Sequence, residues 1–166
     1  LWGYAKATWK GVASKLKETR MYLPADVVSS VLDRLIATSA SVSVTSARDE
    51  IVAARDDVCM VFGYSNFGRA DTQRGFKTAD ISVYSDGAIY YSMRREKGKS
   101  TRQLPSEYLW PPEAVPGLAT VMRWWLRLRT ALGGSDYMWQ LPWETTKPTT
   151  ASIAAMLARM LSRAGR

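Results

Sequence analysis

The stretch Asp80-Ile81-Ser82-Val83-Tyr84-Ser85-Asp86-Gly87-Ala88-Ile89-Tyr90-Tyr91-Ser92-Met93 decides the fold class of this chain. Before its turn, Ile81 and Val83 alternate with Ser82 and Tyr84; after it, Ile89, Tyr91 and Met93 alternate with Ala88, Tyr90 and Ser92. A period of two places successive side chains on opposite faces of a strand with one buried side. Ser85-Asp86-Gly87 supplies the Asp-Gly signature of a tight hairpin, because glycine enters the left-handed region without steric cost. The charged run from Arg94 to Ser100 reads as a second hairpin tip, and Thr101 to Pro105 as a third short strand ended by its proline. These residues predict a small three-stranded antiparallel sheet.

Upstream and downstream the period is that of a helix. Leu23-Pro24-Ala25-Asp26 opens one helix, with Pro24 accommodated at its start and Val27, Val28, Val31, Leu32, Leu35 and Ile36 forming its apolar stripe. A Ser/Thr-rich loop follows over residues 38–46. A second helix is predicted from Ala47 to Phe62, with Ile51, Val52, Val58, Cys59 and Phe62 inward and Arg48, Asp49, Glu50, Arg55 and Asp56 toward water. Arg69 to Phe76 reads as a short polar helix. After the strands, Pro111-Pro112 is expected to start a helix that buries Val115, Leu118, Met122, Trp125, Leu126 and Leu132, exposes Arg123, Arg127 and Arg129, and stops at Gly133-Gly134. An aromatic loop over 135–148 leads to a last helix, Thr149 to Ala164, whose inward residues are Ile153, Met156, Leu157, Met160 and Leu161. Helices around a small antiparallel sheet define the α+β class.

Composition narrows the chemistry. In 166 residues there are 23 Lys and Arg against 15 Asp and Glu, a formal charge of +8, which points to a polyanionic partner. Seven Trp, eight Tyr and three Phe supply a packed interior. No histidine is present, which excludes imidazole catalysis within this chain, and with a single cysteine neither a disulfide nor an ordinary zinc site can form. That cysteine, Cys59, lies in the apolar run Val58-Cys59-Met60-Val61-Phe62 and reads as a buried thiol. No apolar stretch reaches the roughly 20 residues of a membrane span. Leu1 to Arg20 does not read as a signal peptide, and a chain that starts at Leu1 reads as entered mid-protein. No cofactor and no metal are expected.

Two stretches carry the functional reading: Gly68-Arg69-Ala70-Asp71-Thr72-Gln73-Arg74-Gly75-Phe76-Lys77-Thr78-Ala79-Asp80-Ile81, and Arg94-Arg95-Glu96-Lys97-Gly98-Lys99-Ser100-Thr101-Arg102-Gln103-Leu104-Pro105. Together they resemble the catalytic domain of the tyrosine recombinases, the phage-integrase-like family. That family shows an arginine after a glycine-containing break, Asp-Ile at the first strand, a lysine on the hairpin between the second and third strands, and an Arg-x-x-Pro-like strand. The resemblance places Arg69 on the family's first catalytic arginine and Lys97 on its hairpin lysine, with Lys99 the alternative if the register slips by two. It implies residues 1–22 as a linker or the end of an N-terminal DNA-clamping domain, and residues 23–166 as an incomplete catalytic domain. The family's His-x-x-Arg box and nucleophilic tyrosine would follow Leu161-Ser162-Arg163-Ala164-Gly165-Arg166.

What the resemblance implies is metal-independent phosphoryl transfer through a phosphotyrosine link. Arg69 would hold the non-bridging oxygens, since a guanidinium fork binds two oxygens and keeps its proton. Lys97 would protonate the departing 5′ oxygen. Arg74, Lys77, Arg94, Arg95, Lys99 and Arg102 are candidate phosphate contacts. The implied partner is double-stranded DNA, with self-assembly on DNA in the intact parent, no membrane, and an intracellular, DNA-associated location. This fragment alone is expected to be inactive. Departures from the family pattern are Thr72 where an acidic residue is usual, with Asp71 one position early, and Gln73 and Gly75 at apolar positions. The competing readings are a DNA-binding module without catalysis, favoured by Thr72, and a basic α+β interaction domain. For single residues, Arg69 as a surface arginine or an ion-pair partner of Asp71 or Asp80 is the plain alternative, and Lys97 as a solvated turn charge likewise.

Overall fold

The computed structural model describes residues 23–66, 69–94 and 104–165. The expected 1–22 linker and the residues Arg95, Lys97, Lys99 and Arg102 lie outside them. The described elements run α1 (Ala25–Thr38), α2 (Arg48–Ser65), α3 (Ala70–Arg74), a 3-10 turn (Thr78–Asp80), β1 (Ile81–Val83), β2 (Ile89–Met93), β3 (Ser106–Trp110), α4 (Leu118–Leu132) and α5 (Thr150–Arg163). This is the predicted α+β class, helices around one three-stranded antiparallel sheet of order β1-β2-β3.

The hairpin behaves as its alternation requires. Ile81 pairs with Tyr91 and Val83 with Ile89. Gly87 takes a positive φ of 92°, and the Asp86 carboxylate accepts the Ala88 amide at 2.9 Å. The third strand falls later than predicted. It is Ser106–Trp110, paired Met93 to Ser106 through Ile89 to Trp110, and Pro105 precedes it instead of ending it. A proline lacks the amide for a ladder but is accommodated where a strand begins. From there Tyr108 and Trp110 reach the Tyr91 ring at 5.1 and 4.8 Å, while Glu107 and Leu109 point outward.

The helix expected at Pro111 starts at Leu118. Pro116 explains the delay: inside a helix it would remove a hydrogen bond and press its ring on the carbonyl four residues earlier, that of Pro112. The chain instead turns, Leu118 N–H donating to Val115 O at 3.1 Å. Gly117 precedes α4 with φ 85°, and a Cβ there would lie 2.7 Å from Ile36 Cδ1. Ile36, predicted inward, is 39% exposed and lies against this glycine at the end of α1.

The second helix runs past its predicted end at Phe62 and through Gly63 to Ser65. Gly63 permits close docking of α3, since a Cβ on it would stand 3.2 Å from the Gln73 side chain. That contact also accounts for the polar character of α3: Gln73 is fully buried and its amide donates to Asn66 Oδ1 at 2.9 Å.

The largest correction concerns charges placed on the surface by periodicity. Arg55 and Asp56 of α2 are buried, as is Asp57. Asp56 accepts from Arg55 at 2.9 Å and from Arg159 of α5 at 2.7 Å; Asp57 accepts from Arg34 of α1 at 2.8 Å and Arg163 of α5 at 2.7 Å. Arg55 also donates to Glu144 at 2.7 Å and to the Trp139 carbonyl at 3.2 Å. Arg48, Asp49 and Glu50 are exposed as expected, but beyond this first turn the helix is packed on both sides, so its charges there must be paired internally. Arg129, also predicted exposed, is buried for a different reason given below.

One apolar core unites these elements, with Phe62, Phe76, Trp125 and Trp139 among its fully buried side chains. Cys59 is part of it, and burial pushes its thiol pKa well up. Native protein is therefore expected to resist iodoacetamide at pH 8 and to label at one site once unfolded in urea; rapid labelling of the native chain would contradict this burial.

Candidate nucleic-acid interface

The predicted cations on described residues occupy the segment from Arg69 to Lys77 and the end of β2. Arg69 immediately precedes α3 in extended backbone conformation and is half-buried. Its side chain forms no hydrogen bond or ion pair with another described residue. Neither carboxylate considered for it is its partner: Asp71 accepts from Arg74 at 2.6 Å, and Asp80 accepts from Arg94 at 2.8 Å. Thr72, at the position where the resemblance led us to expect an acid, is buried, and Asp71 faces outward.

Arg74 belongs to an exposed pair three residues apart, an association worth under about 1 kcal/mol and easily exchanged for a phosphate. Arg94 is held differently. Its Nε is 2.8 Å from both oxygens of Asp80, which is only 3% exposed, and Asp80 also accepts the Lys77 amide at 2.8 Å. This hydrogen bond raises the Arg94 pKa, partial burial opposes it, and the charges of Asp80 and Tyr137 add to the rise. Arg94 thus ties the end of β2 to the turn before β1, and withdrawing it would strand a buried carboxylate.

Lys77 meets the loop that follows α4. Residues Lys77 and Tyr137 form an isolated antiparallel bridge, flanked by Thr78 N–H to Asp136 O and Met138 N–H to Phe76 O, both 2.9 Å. The Lys77 ammonium lies 5.6 Å from the Tyr137 ring centre and that of Lys147 lies 6.0 Å from it. Buried Arg129 shapes this loop from beneath, donating to the carbonyls of Gly133, Ser135 and Tyr137. Burial lowers the Arg129 pKa, with Glu144 and Asp136 opposing, yet a guanidinium remains charged.

The structure therefore brings Lys77 and Arg94 together and adds two residues absent from the sequence-based set, Tyr137 and Lys147. No local pattern marks them: Tyr137 sits in an aromatic loop and Lys147 before a proline, and their significance lies in contacts to a segment far away in the chain. Arg95, Lys97, Lys99 and Arg102, expected on the second hairpin tip and the strand after it, lie outside the described residues. A cavity of about 440 Å³ between α2, residues 144–149 and α5 is lined by Arg55, Arg159 and Glu144, whose charges are already matched among themselves and Asp56.

Among the described residues no group of His, Cys, Asp and Glu is arranged to hold a metal ion, and no helix is long and apolar enough to cross a membrane. Comparison with protein-family models, curated proteins and solved structures returned no match.

Proposed function

We propose that this chain binds duplex DNA and carries the arginine-and-lysine part of a tyrosine-recombinase-type site for phosphoryl transfer. The observation that carries the reading is Arg69. Its guanidinium stands without an ionic partner among the described residues, while the two nearby carboxylates are taken by Arg74 and Arg94. A half-buried cation left uncompensated at the start of a helix suits the non-bridging oxygens of a phosphodiester, where negative charge must be matched as the transition state forms. In the reaction, a tyrosine oxygen supplied outside the described residues attacks phosphorus. The bond to the 5′ oxygen breaks, and Lys97 on the β2–β3 hairpin delivers the proton to that oxygen. The intact parent would act as an assembly on paired sites.

A second reading has its own support. Buried Thr72 and outward-facing Asp71 leave the family's acidic position unfilled, which favours a DNA-binding module without catalysis. The sequence downstream of Arg166 in the gene separates the two. A His-x-x-Arg box followed some tens of residues later by a tyrosine supports the recombinase, and a continuation lacking both leaves the DNA-binding module.

DNA binding itself is tested by fluorescence anisotropy with a short duplex between 50 and 200 mM salt. The affinity is expected to fall along a straight line in log–log form, with a slope of about −0.9 per phosphate contact. Arg69→Ala is expected to weaken binding about fivefold and flatten the slope by roughly one. A basic interaction domain with no DNA partner would show no salt-dependent binding at all.

A further inference from the structure

The Tyr137 ring and the two lysines beside it form a second basic feature, distinct from Arg69 and assembled by tertiary structure alone. Three observations converge on it. First, the two ammonium groups, at 5.6 and 6.0 Å from one ring, have no acidic partner among the described residues. The neighbouring acids are committed elsewhere, Asp80 to Arg94 and Glu144 to Arg55, and Asp136 forms no ion pair with either lysine. Second, the backbone of Tyr137 is fixed. It is bridged to Lys77 through the backbone, and its loop is pinned by Arg129 below and by Gly134, where a Cβ would lie 2.9 Å from Pro142. Third, Asp80 accepts from both the Lys77 amide and Arg94, so the feature adjoins the end of β2.

Neither ammonium is matched by a carboxylate among the described residues, so an anion at this ring is attracted by both. Each ammonium already lies over the ring, so less rotamer freedom is lost when the anion arrives. A phosphodiester meets these demands: it bears one diffuse charge and two free oxygens, and the Tyr137 hydroxyl can donate to it as well. The arrangement reads no base edge and contributes positioning rather than sequence choice.

We propose that Lys77, Tyr137 and Lys147 form a phosphodiester clamp, separate from Arg69, that grips the backbone of duplex DNA. The clamp rests on the DNA-binding reading above, and the test separates the two. Duplex affinity is measured by anisotropy across the same salt range for wild type, Lys77→Gln, Lys147→Gln, the double variant, Arg69→Ala and Arg127→Gln. Arg127, exposed on α4, controls for loss of net charge alone. Each lysine variant is expected to lose about five- to tenfold in affinity and to flatten the slope by about one, and the double variant by about two. Arg127→Gln should change affinity less than about twofold.

If Arg69→Ala weakens binding while the double lysine variant matches wild type, the clamp is wrong and DNA binding stands. Equal losses in Arg127→Gln and the lysine variants would also overturn the clamp, reducing it to net charge. Wild type without salt-dependent binding sinks both. Inorganic phosphate, followed by amide shifts in NMR, distinguishes the other source of this chemistry. Saturation around Tyr137 that the duplex fails to displace would assign the site to free phosphate and overturn the clamp.

Discussion

Replacing Asp56 by alanine is expected to lower folding stability by about 3–5 kcal/mol. Asp56 is fully buried in α2 and accepts from two guanidiniums, Arg55 at 2.9 Å and Arg159 at 2.7 Å, with that of Arg163 3.7 Å away. Removing the carboxylate leaves Arg55, itself 3% exposed, with only Glu144 and one carbonyl for partners. The destabilisation comes chiefly from that under-compensated buried cation, not from the net strength of the pair, which offsets its own desolvation only in part. Arg159→Ala makes the contrast. Its side chain is 45% exposed and Asp56 would keep Arg55, so a loss of about 1 kcal/mol is expected. Urea denaturation of both variants measures the difference as a shift in midpoint at unchanged slope. An Asp56→Ala loss below about 1 kcal/mol would show that the network contributes little beyond its own desolvation.

Phe62→Ala is expected to cost a similar 3–5 kcal/mol through lost packing. The Phe62 ring lies within 5.4 Å of Phe76, 5.6 Å of Tyr91, 5.9 Å of Trp110 and 6.2 Å of Trp139. It therefore joins α2 to the segment leading into β1, to two strands of the sheet and to the loop after α4. Two of these neighbours, Tyr91 and Trp110, are rings on paired strands, which cannot collapse into the space, so a cavity remains and adds to the transfer cost. Scanning calorimetry should show a fall in Tm on the order of 10 °C. A change of only a few degrees would mean that the aromatic cluster relaxes and that the sheet is held mainly from elsewhere.

These two sites also show where sequence reading succeeds and where it stops. Phe62 was legible as core because it is apolar in an apolar run, and the β1–β2 hairpin was legible because alternation and Asp-Gly are local signals. The boundaries of β3 and α4 were misread at prolines, whose effect depends on what lies on either side: Pro105 begins a strand, and Pro116 postpones a helix. Arg55, Asp56 and Arg129 were misassigned for a common reason. A charged side chain is placed on the surface by default, and only a partner from a distant element reverses that default. Those partners, Arg159, Arg163, Glu144 and the loop carbonyls, are unidentifiable from the spacing along α2 or α4.

The same division holds for the site. Arg69, Arg74, Lys77 and Arg94 stand in stretches whose local pattern marks them as basic and close to the hairpin. Which of them is uncompensated was decided by folding, because Asp71 and Asp80 could each have paired with Arg69 and instead meet Arg74 and Arg94. By itself the sequence determined the α+β class, the helical stripes, the first hairpin, the absence of imidazole chemistry and the basic balance, since these follow from composition and short-range periodicity. Tertiary structure alone decided the burial of the α2 charges, the loop pinned by Arg129 and the meeting of Lys77 with Tyr137 and Lys147, since electrostatic pairing and backbone bridging act through space and leave no mark on the spacing of residues along the chain.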